Sequence, residues 1–219
     1  MKLVLHNYWR SSTSHRVRIG LELKRLPYEY VAVNILRGDQ LTEAHRAQNP
    51  LAQVPVLEII EDDGQRRAIT QSLAILEYLD ERWPEAPILP RDPYLRARAR
   101  MLAEIVNSGI QPQQNLSRTN RVKELGGEVA AWLRGAIAPG LAAFARAAAE
   151  TAGQFCVGDA PTIADCCLVP QLTSARRFEI DLTAPELGLE ALLEIEARCL
   201  ALPAFASAAP DHQPDAVRS

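Results

Sequence analysis

The chain has no apolar run approaching the roughly 20 residues that a membrane-crossing helix needs. Its opening Met1-Lys2-Leu3-Val4-Leu5 soon turns polar, so no signal-peptide core stands there, and the expected location is the cytoplasm. An excess of positive charge is missing as well. Lys and Arg number 24 against 27 Asp and Glu, a formal net charge of -3, which argues against nucleic acid or an anionic membrane as the main partner. Arg96, Arg98 and Arg100 alternate, but they read as the solvated side of one helix. The first half holds no cysteine. The four in the second half (Cys156, Cys166, Cys167 and Cys199) show no metal-ligand spacing, so neither a metal site nor a disulfide framework is expected. Internal repeats are absent too. What is present, 47% apolar and 23% charged residues over 219 positions, suffices to fill two modest cores.

Leu3-Val4-Leu5 reads as a buried strand ending at the turn-prone Asn7. From Ser14 to about Leu26, Ile19, Leu23 and Leu26 recur at helical spacing, and Pro27 stops the helix. Tyr28 to Val33 favours a strand, and Leu41 to Gln48 a short polar helix closed by Asn49-Pro50. Two further strands follow, Val54 to Ile60 and about Arg67 to Thr70, with Asp63-Gly64 as a hairpin turn between them. Ser72 is expected to cap a helix with Leu73, Leu76 and Leu79 on its core face. The order is βαβα followed by ββα, the order of a thioredoxin-like α/β domain, expected over residues 1–82.

Three prolines between Trp83 and Pro90 make 83–91 the expected linker. Residues 92–219 then read as an all-α domain, with a polar tail trailing over the surface from about residue 210. Leu95, Ala99, Leu102 and Val106 form one stripe. The alanine-rich stretch from Glu128 to Ala149 forms a long helix that Pro139-Gly140 should bend or break. Thr162 to Asp165 fits a capping box with Asp in the usual Glu place.

Chemistry-bearing residues gather at three turns. Arg10-Ser11-Ser12-Thr13-Ser14-His15-Arg16 lies where the first strand meets the first helix. A helix N-terminus presents unpaired N–H groups and a positive dipole end, which would lower the pKa of a thiol placed there. An isolated serine cluster is more often a plain N-cap. Gln53-Val54-Pro55 is compatible with a cis bond that exposes the Val54 backbone to a peptide-like ligand, although taken alone a trans proline is the commoner reading. Gln71-Ser72 at the next helix start suits a carboxylate, and singly is only a cap. Together the three place a thiolate site, a backbone-pairing site and a carboxylate site along one edge of a small sheet.

With Gly109-Ile110-Gln111-Pro112 and Asp165-Cys166-Cys167-Leu168-Val169-Pro170-Gln171 added, the chain resembles the zeta-class glutathione transferases from Leu3 to about Pro214. The serine motif and the Gly-Ile-Gln-Pro segment are the specific parts. The resemblance implies the glutathione-transferase architecture, a thioredoxin-like domain followed by an all-α domain, with glutathione as cofactor. It assigns Ser11 the catalytic place beside the glutathione sulfur, with Ser12 and Thr13 next to it. Gln40, Val54 and Pro55 would hold the tripeptide backbone, and Gln71 and Ser72 its γ-glutamyl end. Gln111, Asn115 and Ser117, with Leu116, would contribute from the helical domain. Arg10 and Arg177 would take the carboxylates of a small dicarboxylic diketo acid, with Arg176 as an adjacent surplus. Thr13 stands where many relatives have cysteine, so any side reactivity of that thiol should be absent.

The implied reaction is cis–trans isomerisation. Glutathione thiolate adds to a conjugated cis double bond, the resulting single bond rotates, and elimination restores a trans alkene and the thiolate. Gln111 and Leu116-Ser117 favour maleylacetoacetate, giving fumarylacetoacetate in aromatic amino acid catabolism, over maleylpyruvate. A transferase acting on α-halo acids and a non-catalytic interaction module are the other readings. A homodimer is implied, with neither nucleic acid nor membrane as partner.

Overall fold

Leu3, Val4 and Leu5 are all buried, so the first strand, β1 (Lys2–Asn7), needs cover on both faces and takes an inner place in its sheet. The computed structural model, which describes residues 1–217, gives a four-stranded sheet in the order β2-β1-β3-β4. β2 (Glu29–Ala32) pairs parallel with β1, whereas β3 (Val56–Ile60) and β4 (Arg66–Thr70) add antiparallel pairs. The parallel pair requires a crossover, which α1 (Ser12–Leu23) supplies. The antiparallel pair needs only the tight turn at Asp63-Gly64, where Gly64 adopts a φ of +82° that a side chain would resist. A short helix α2 (Glu43–Gln48) precedes β3, and α3 (Ser72–Arg82) follows β4. The expected βαβα-ββα order is the observed one.

Leu3, Leu5, Val17, Leu21, Leu57, Ile59, Ile75 and Leu79 make the core of this unit. Each such side chain contributes on the order of 1.5 to 3 kcal/mol by burial. Lys24, also buried, closes it at the far end. Its Nζ donates to Trp83 O and Ala86 O, both at 2.8 Å, and lies 2.9 Å from Asp80.

Two compact units divide the chain: Met1–Pro87 together with the segment from Pro203 onward, and Ile88–Leu202. That corrects the expectation that everything from residue 92 belongs to a helical domain with a loose end. Helix α9 (Pro203–Ala208) packs on α1, and Arg18 Nε donates to Ala208 O at 3.0 Å. Gln213 folds back on the helix, its Nε2 donating to Ser207 O and Ala209 O. The reason is a buried guanidinium in α1 that needs acceptors, which the polar composition of the tail does not disclose. Residues 218 and 219 of the expected tail lie outside the described residues.

The second unit is helical: α4 (Pro93–Glu104), α5 (Leu116–Glu124), α6 (Val129–Ala148), α7 (Ile163–Arg177) and α8 (Glu190–Leu200). Asp92 caps α4 with Pro93 in its first turn, where the missing N–H costs nothing. Ala99, Leu102 and Val106 are buried along the expected stripe. A π turn (Ile105–Ile110) and a 3₁₀ turn (Gln111–Gln114) carry the Gly-Ile-Gln-Pro segment. Of the bend or break expected at Pro139-Gly140, the break does not occur: α6 runs continuously through both residues. Gly140 serves packing instead. A Cβ there would stand 2.4 Å from Ile110 Cγ1, so only glycine admits the π turn at this spot.

Thr162 and Asp165 form the capping box expected at α7. The Asp165 carboxylate also accepts from Cys156 N at 2.9 Å, tying the preceding loop to the helix. Burial pushes its pKa up, and the N–H groups of Cys156 and Thr162 oppose the shift. Among the described residues no helix is long and apolar enough to cross a membrane.

Candidate active site

Three turns of the first unit leave the sheet at one edge. The register pairs His6 with Val56 and Val56 with Thr70, so the segments 8–11, 53–55 and 71–72 begin or end side by side. The expectation that these three turns share an edge is met by the topology itself.

Ser11 caps α1 from an extended conformation, its Oγ accepting from Ser14 N at 3.2 Å. Thr13 Oγ1 donates to Val54 O at 3.0 Å, and Ser11 Oγ lies 2.9 Å from Thr13 Oγ1. A carbonyl can only accept, and a threonine hydroxyl has one proton. Ser11 is therefore the donor to Thr13. The chain of donors runs from Ser14 N–H through Ser11 and Thr13 to the Val54 carbonyl. Rotation about the Ser11 Cβ–Oγ bond can redirect its proton to an incoming anion, and the cap bond from Ser14 is kept. Arg10, half-buried, places its guanidinium 5.5 Å from the Trp9 ring centroid.

The Val54-Pro55 peptide bond is cis, the isomer that the sequence alone left as the less common reading. Its approach is pinned by two buried residues that carried no sequence assignment. His45 Nε2 and Asn49 Nδ2 both donate to Gln53 O at 2.9 Å. Since the acceptor is a carbonyl, His45 must carry its proton on Nε2. Gln40 donates its amide to Ile35 O at 3.2 Å, and its Oε1 is buried without a hydrogen-bond partner among the described residues. That leaves an acceptor for an N–H from outside the chain.

At the start of α3, Gln71 has φ +69°, an uncommon conformation for a residue with a side chain, and it rather than Ser72 is the N-cap. Ser72 stands in the first turn, nearly fully buried, and accepts from Arg16 Nη1 at 3.1 Å. Its own proton remains to be donated. The buried Arg16 thus sets a positive charge behind a helix N-terminus and a hydroxyl, a set suited to a carboxylate. The sequence signal for Arg16 was its place between buried positions of α1, where a solvated arginine does not fit.

In the second unit, Gln111 Nε2 donates to Asn115 Oδ1 at 2.7 Å, and Ser117 lies exposed in the first turn of α5. Two adjacent arginines end α7, and they differ. Arg176 is committed to Glu196, donating from both terminal nitrogens, with Nη1 at 2.6 Å from Oε1. Expected only as a surplus beside Arg177 among the substrate-binding candidates, Arg176 has a partner within the chain, because the Glu196 carboxylate is almost completely buried and takes that guanidinium. Arg177 is exposed, with its guanidinium 4.6 Å from the Phe178 ring centroid.

No thiol of the chain is suited to act as a nucleophile. All four cysteines are buried and none forms a disulfide. Burial pushes the Cys156, Cys166 and Cys199 thiols above their usual pKa, and the nearby Asp165 carboxylate adds to the shift. A thiolate at Ser11 must come from a ligand. The set of groups fits glutathione: a donor and a helix N-terminus for sulfur, the Val54 backbone and the Gln40 acceptor for peptide groups, and Gln71 and Ser72 backed by Arg16 for a carboxylate. Among the described residues no cluster of His, Cys, Asp and Glu could hold a metal ion.

Residues 10–82 match the sequence profile of the family described as Glutathione S-transferase, N-terminal domain. Maleylacetoacetate isomerase of Rattus norvegicus is 44% identical over 217 residues, 98% of this chain and 95% of that protein. Maleylpyruvate isomerase of a Ralstonia species is 41% identical, covering 96% and 98%. The crystal structure of maleylacetoacetate isomerase from Anaeromyxobacter dehalogenans with glutathione bound in the active site superposes with a TM-score of 0.88 at 50% identity, covering 99% of this chain and 98% of that one. A second structure of that protein holds dicarboxyethyl glutathione and citrate in the active site.

Proposed function

The chain belongs to the zeta-class glutathione transferase family, and from that premise we propose that it is a glutathione-dependent cis–trans isomerase converting maleylacetoacetate to fumarylacetoacetate. The observation that carries the reading is the Ser14–Ser11–Thr13–Val54 hydrogen-bond chain at the start of α1, set in a protein whose own thiols are buried. Bound glutathione supplies a thiolate that adds to the conjugated alkene and leaves again after rotation. Ser11 turns its proton from Thr13 to the sulfur and, with the N-terminal dipole of α1, favours the ionised form. Ser12, one residue further into α1, backs it. Thr13 keeps the Val54 carbonyl in place.

Val54, Pro55 and Gln40 hold the tripeptide backbone, and Gln71 and Ser72 its γ-glutamyl carboxylate, with Arg16 behind Ser72. Gln111, Asn115 and Ser117 are assigned to the same ligand on the family resemblance. Arg10 and Arg177 take carboxylates of the diketo acid, for which a planar two-pronged donor is suited. The dicarboxyethyl adduct in the Anaeromyxobacter dehalogenans protein supports a dicarboxylic partner for the sulfur. A homodimer in the cytoplasm belongs to the same reading, supported by the usual two-fold symmetry of soluble oligomers and by four cysteines that form no disulfide.

The Ralstonia relative makes maleylpyruvate the competing substrate. Assay of the purified chain on both cis diketo acids, with and without glutathione, decides between them. Turnover of maleylacetoacetate should require glutathione and leave its concentration unchanged. Turnover without glutathione, or its stoichiometric consumption, would overturn the reading.

A further inference from the structure

Tyr8 and Trp9 are the two residues ahead of Arg10 and Ser11, and side chains hold all four of their main-chain polar groups. Ser14 Oγ accepts from Tyr8 N at 3.4 Å. Arg18 Nη1 donates to Tyr8 O at 3.4 Å and Arg18 Nη2 to Trp9 O at 2.9 Å. Asp215 Oδ2 accepts from Trp9 N at 3.2 Å. Three of these four bonds come from α1, the helix that Ser11 itself caps. The fourth comes from a residue 206 positions away in the sequence.

The other oxygen of Asp215 accepts from the Tyr30 hydroxyl of β2. The carboxylate therefore bridges the edge strand and the turn. Arg18 is anchored on the opposite side, donating to Asn7 Oδ1 at 3.0 Å and to Ala208 O of α9. A tail that merely trailed through solvent would make none of these bonds. A peptide unit held at both its N–H and its C=O cannot pivot without breaking one of them, and a pivot at Trp9 moves the residues that follow it. Misplacement of a donor by a fraction of an ångström is enough to weaken an anion contact.

We propose that Asp215 is a positioning residue for the thiolate site: by fixing the Trp9 N–H it holds the turn from which Ser11 reaches the sulfur. The inference rests on the functional reading above, and it assigns the C-terminal segment of this unit a role in sulfur ionisation rather than in glutathione affinity.

The test compares the full-length wild type with Asp215→Ala, Asp215→Asn and Tyr30→Phe. Two readouts are taken besides turnover: glutathione affinity by calorimetry, and the pH titration of the bound thiolate by its ultraviolet absorbance. For Asp215→Ala the bound thiol should ionise about one pH unit higher, and kcat should fall about tenfold, the equivalent of one pKa unit. Affinity should change less than about twofold, since backbone and carboxylate contacts are elsewhere. Asp215→Asn keeps an acceptor for Trp9 N–H and should recover most of the loss, and Tyr30→Phe should fall between it and wild type. Should Asp215→Ala fail to fold, the other two variants carry the test. A lowered melting temperature with an unshifted thiolate titration would mean a purely structural role and overturn the inference alone. A wild type that binds no glutathione would overturn the functional reading as well.

Discussion

Thr13 uses its only hydroxyl proton on the Val54 carbonyl, and for that reason the proton between Ser11 and Thr13 belongs to Ser11. The relation joins two of the three turns that form the site and gives Thr13 a task of its own. Thr13→Val is nearly isosteric and removes the clamp on Val54. One neutral hydrogen bond is worth about 1 kcal/mol, so glutathione affinity should weaken about fivefold. The change in kcat should stay within about twofold, because the bound sulfur takes the Ser11 proton whether or not Thr13 offers a competing acceptor. Thr13→Ser should restore affinity. Calorimetric titration of the three proteins checks this, and unchanged binding in Thr13→Val would remove Thr13 from the site.

Ser11 has two jobs that can be separated. As N-cap it accepts from Ser14 N, and loss of such a cap to alanine costs about 1 kcal/mol, whereas glycine costs a few tenths. As donor to the sulfur it would be worth about 2 to 4 kcal/mol of transition-state stabilisation if it acts like an oxyanion-hole contact. Ser11→Gly should then lose roughly 30-fold to 1,000-fold in kcat with near-normal thermal stability, and Ser11→Ala should lose a similar factor with a visibly lower melting temperature. Calorimetric melting and steady-state kinetics on both variants are needed. Retained turnover in Ser11→Gly would assign the serine to the cap alone.

Much of this was legible in the sequence for a definite reason. The strand and helix order followed from hydrophobic spacing and from Pro27, Asp63-Gly64 and the three prolines after Trp83, all of which act locally. The site turns followed from capping residues at strand ends. What escaped depends on partners far apart in the chain. Arg18 looked like any helix arginine until Asn7, Ala208 and the Tyr8-Trp9 carbonyls were seen around it. Asp215 looked like tail. Pro139-Gly140 read as a bend or a break because local propensity cannot show that Ile110 fills the space above Gly140. The three-turn edge was readable; the scaffold that steadies it was not.

The two arginines at the end of α7 should part company on mutation. Arg176 answers a buried glutamate, so Arg176→Ala leaves Glu196 without its partner. Breaking a fully buried pair costs about 3 to 5 kcal/mol, but half of the Arg176 side chain is exposed, so about 1 to 2 kcal/mol is expected. Substrate KM should hardly move. Arg177→Ala should do the reverse, raising KM for the diketo acid about tenfold or more with stability within about 0.5 kcal/mol of wild type. Urea unfolding and kinetics on the pair check this. A raised KM in Arg176→Ala with unchanged stability would exchange the assignments.

His15 gives the fold an acid-side weakness. Burial, helped by the nearby Arg18 charge, holds its pKa well below the usual value, and its Nε2 is buried without a partner among the described residues. The imidazole is therefore neutral in the folded protein. Below about pH 6.5 the unfolded chain takes up a proton that the folded chain does not. The stabilisation is complete above that pH and is lost as pH falls, by up to about 1.4 kcal/mol per unit. His15→Gln should flatten the fall in stability between about pH 6.5 and pH 5 relative to wild type, whatever its effect at neutral pH. Urea midpoints measured across that range check it; parallel curves for the two proteins would mean that His15 titrates alike in both states.

Gly140 and Ile110 should show the strongest coupling in the helical unit. With a Cβ at position 140, Ile110 Cγ1 and Cδ1 would lie only 2.4 and 2.7 Å away, and Ile110 is almost wholly buried. It cannot swing into solvent, so either its rotamer or the π turn must give, and overpacking of this kind costs about 1 to 3 kcal/mol. The π turn runs directly into Gln111, so a shift there would also disturb the Gln111–Asn115 hydrogen bond. Gly140→Ala should therefore lose about 2 kcal/mol. Ile110→Ala loses more by itself, through the cavity it leaves, but in its background the added Cβ has room and Gly140→Ala should become nearly neutral. The double-mutant cycle, read from urea unfolding of the four proteins, should give a coupling of about 1 to 3 kcal/mol. Additive effects would mean that α6 tolerates alanine at this position by some other movement, and that the glycine is not what admits the π turn.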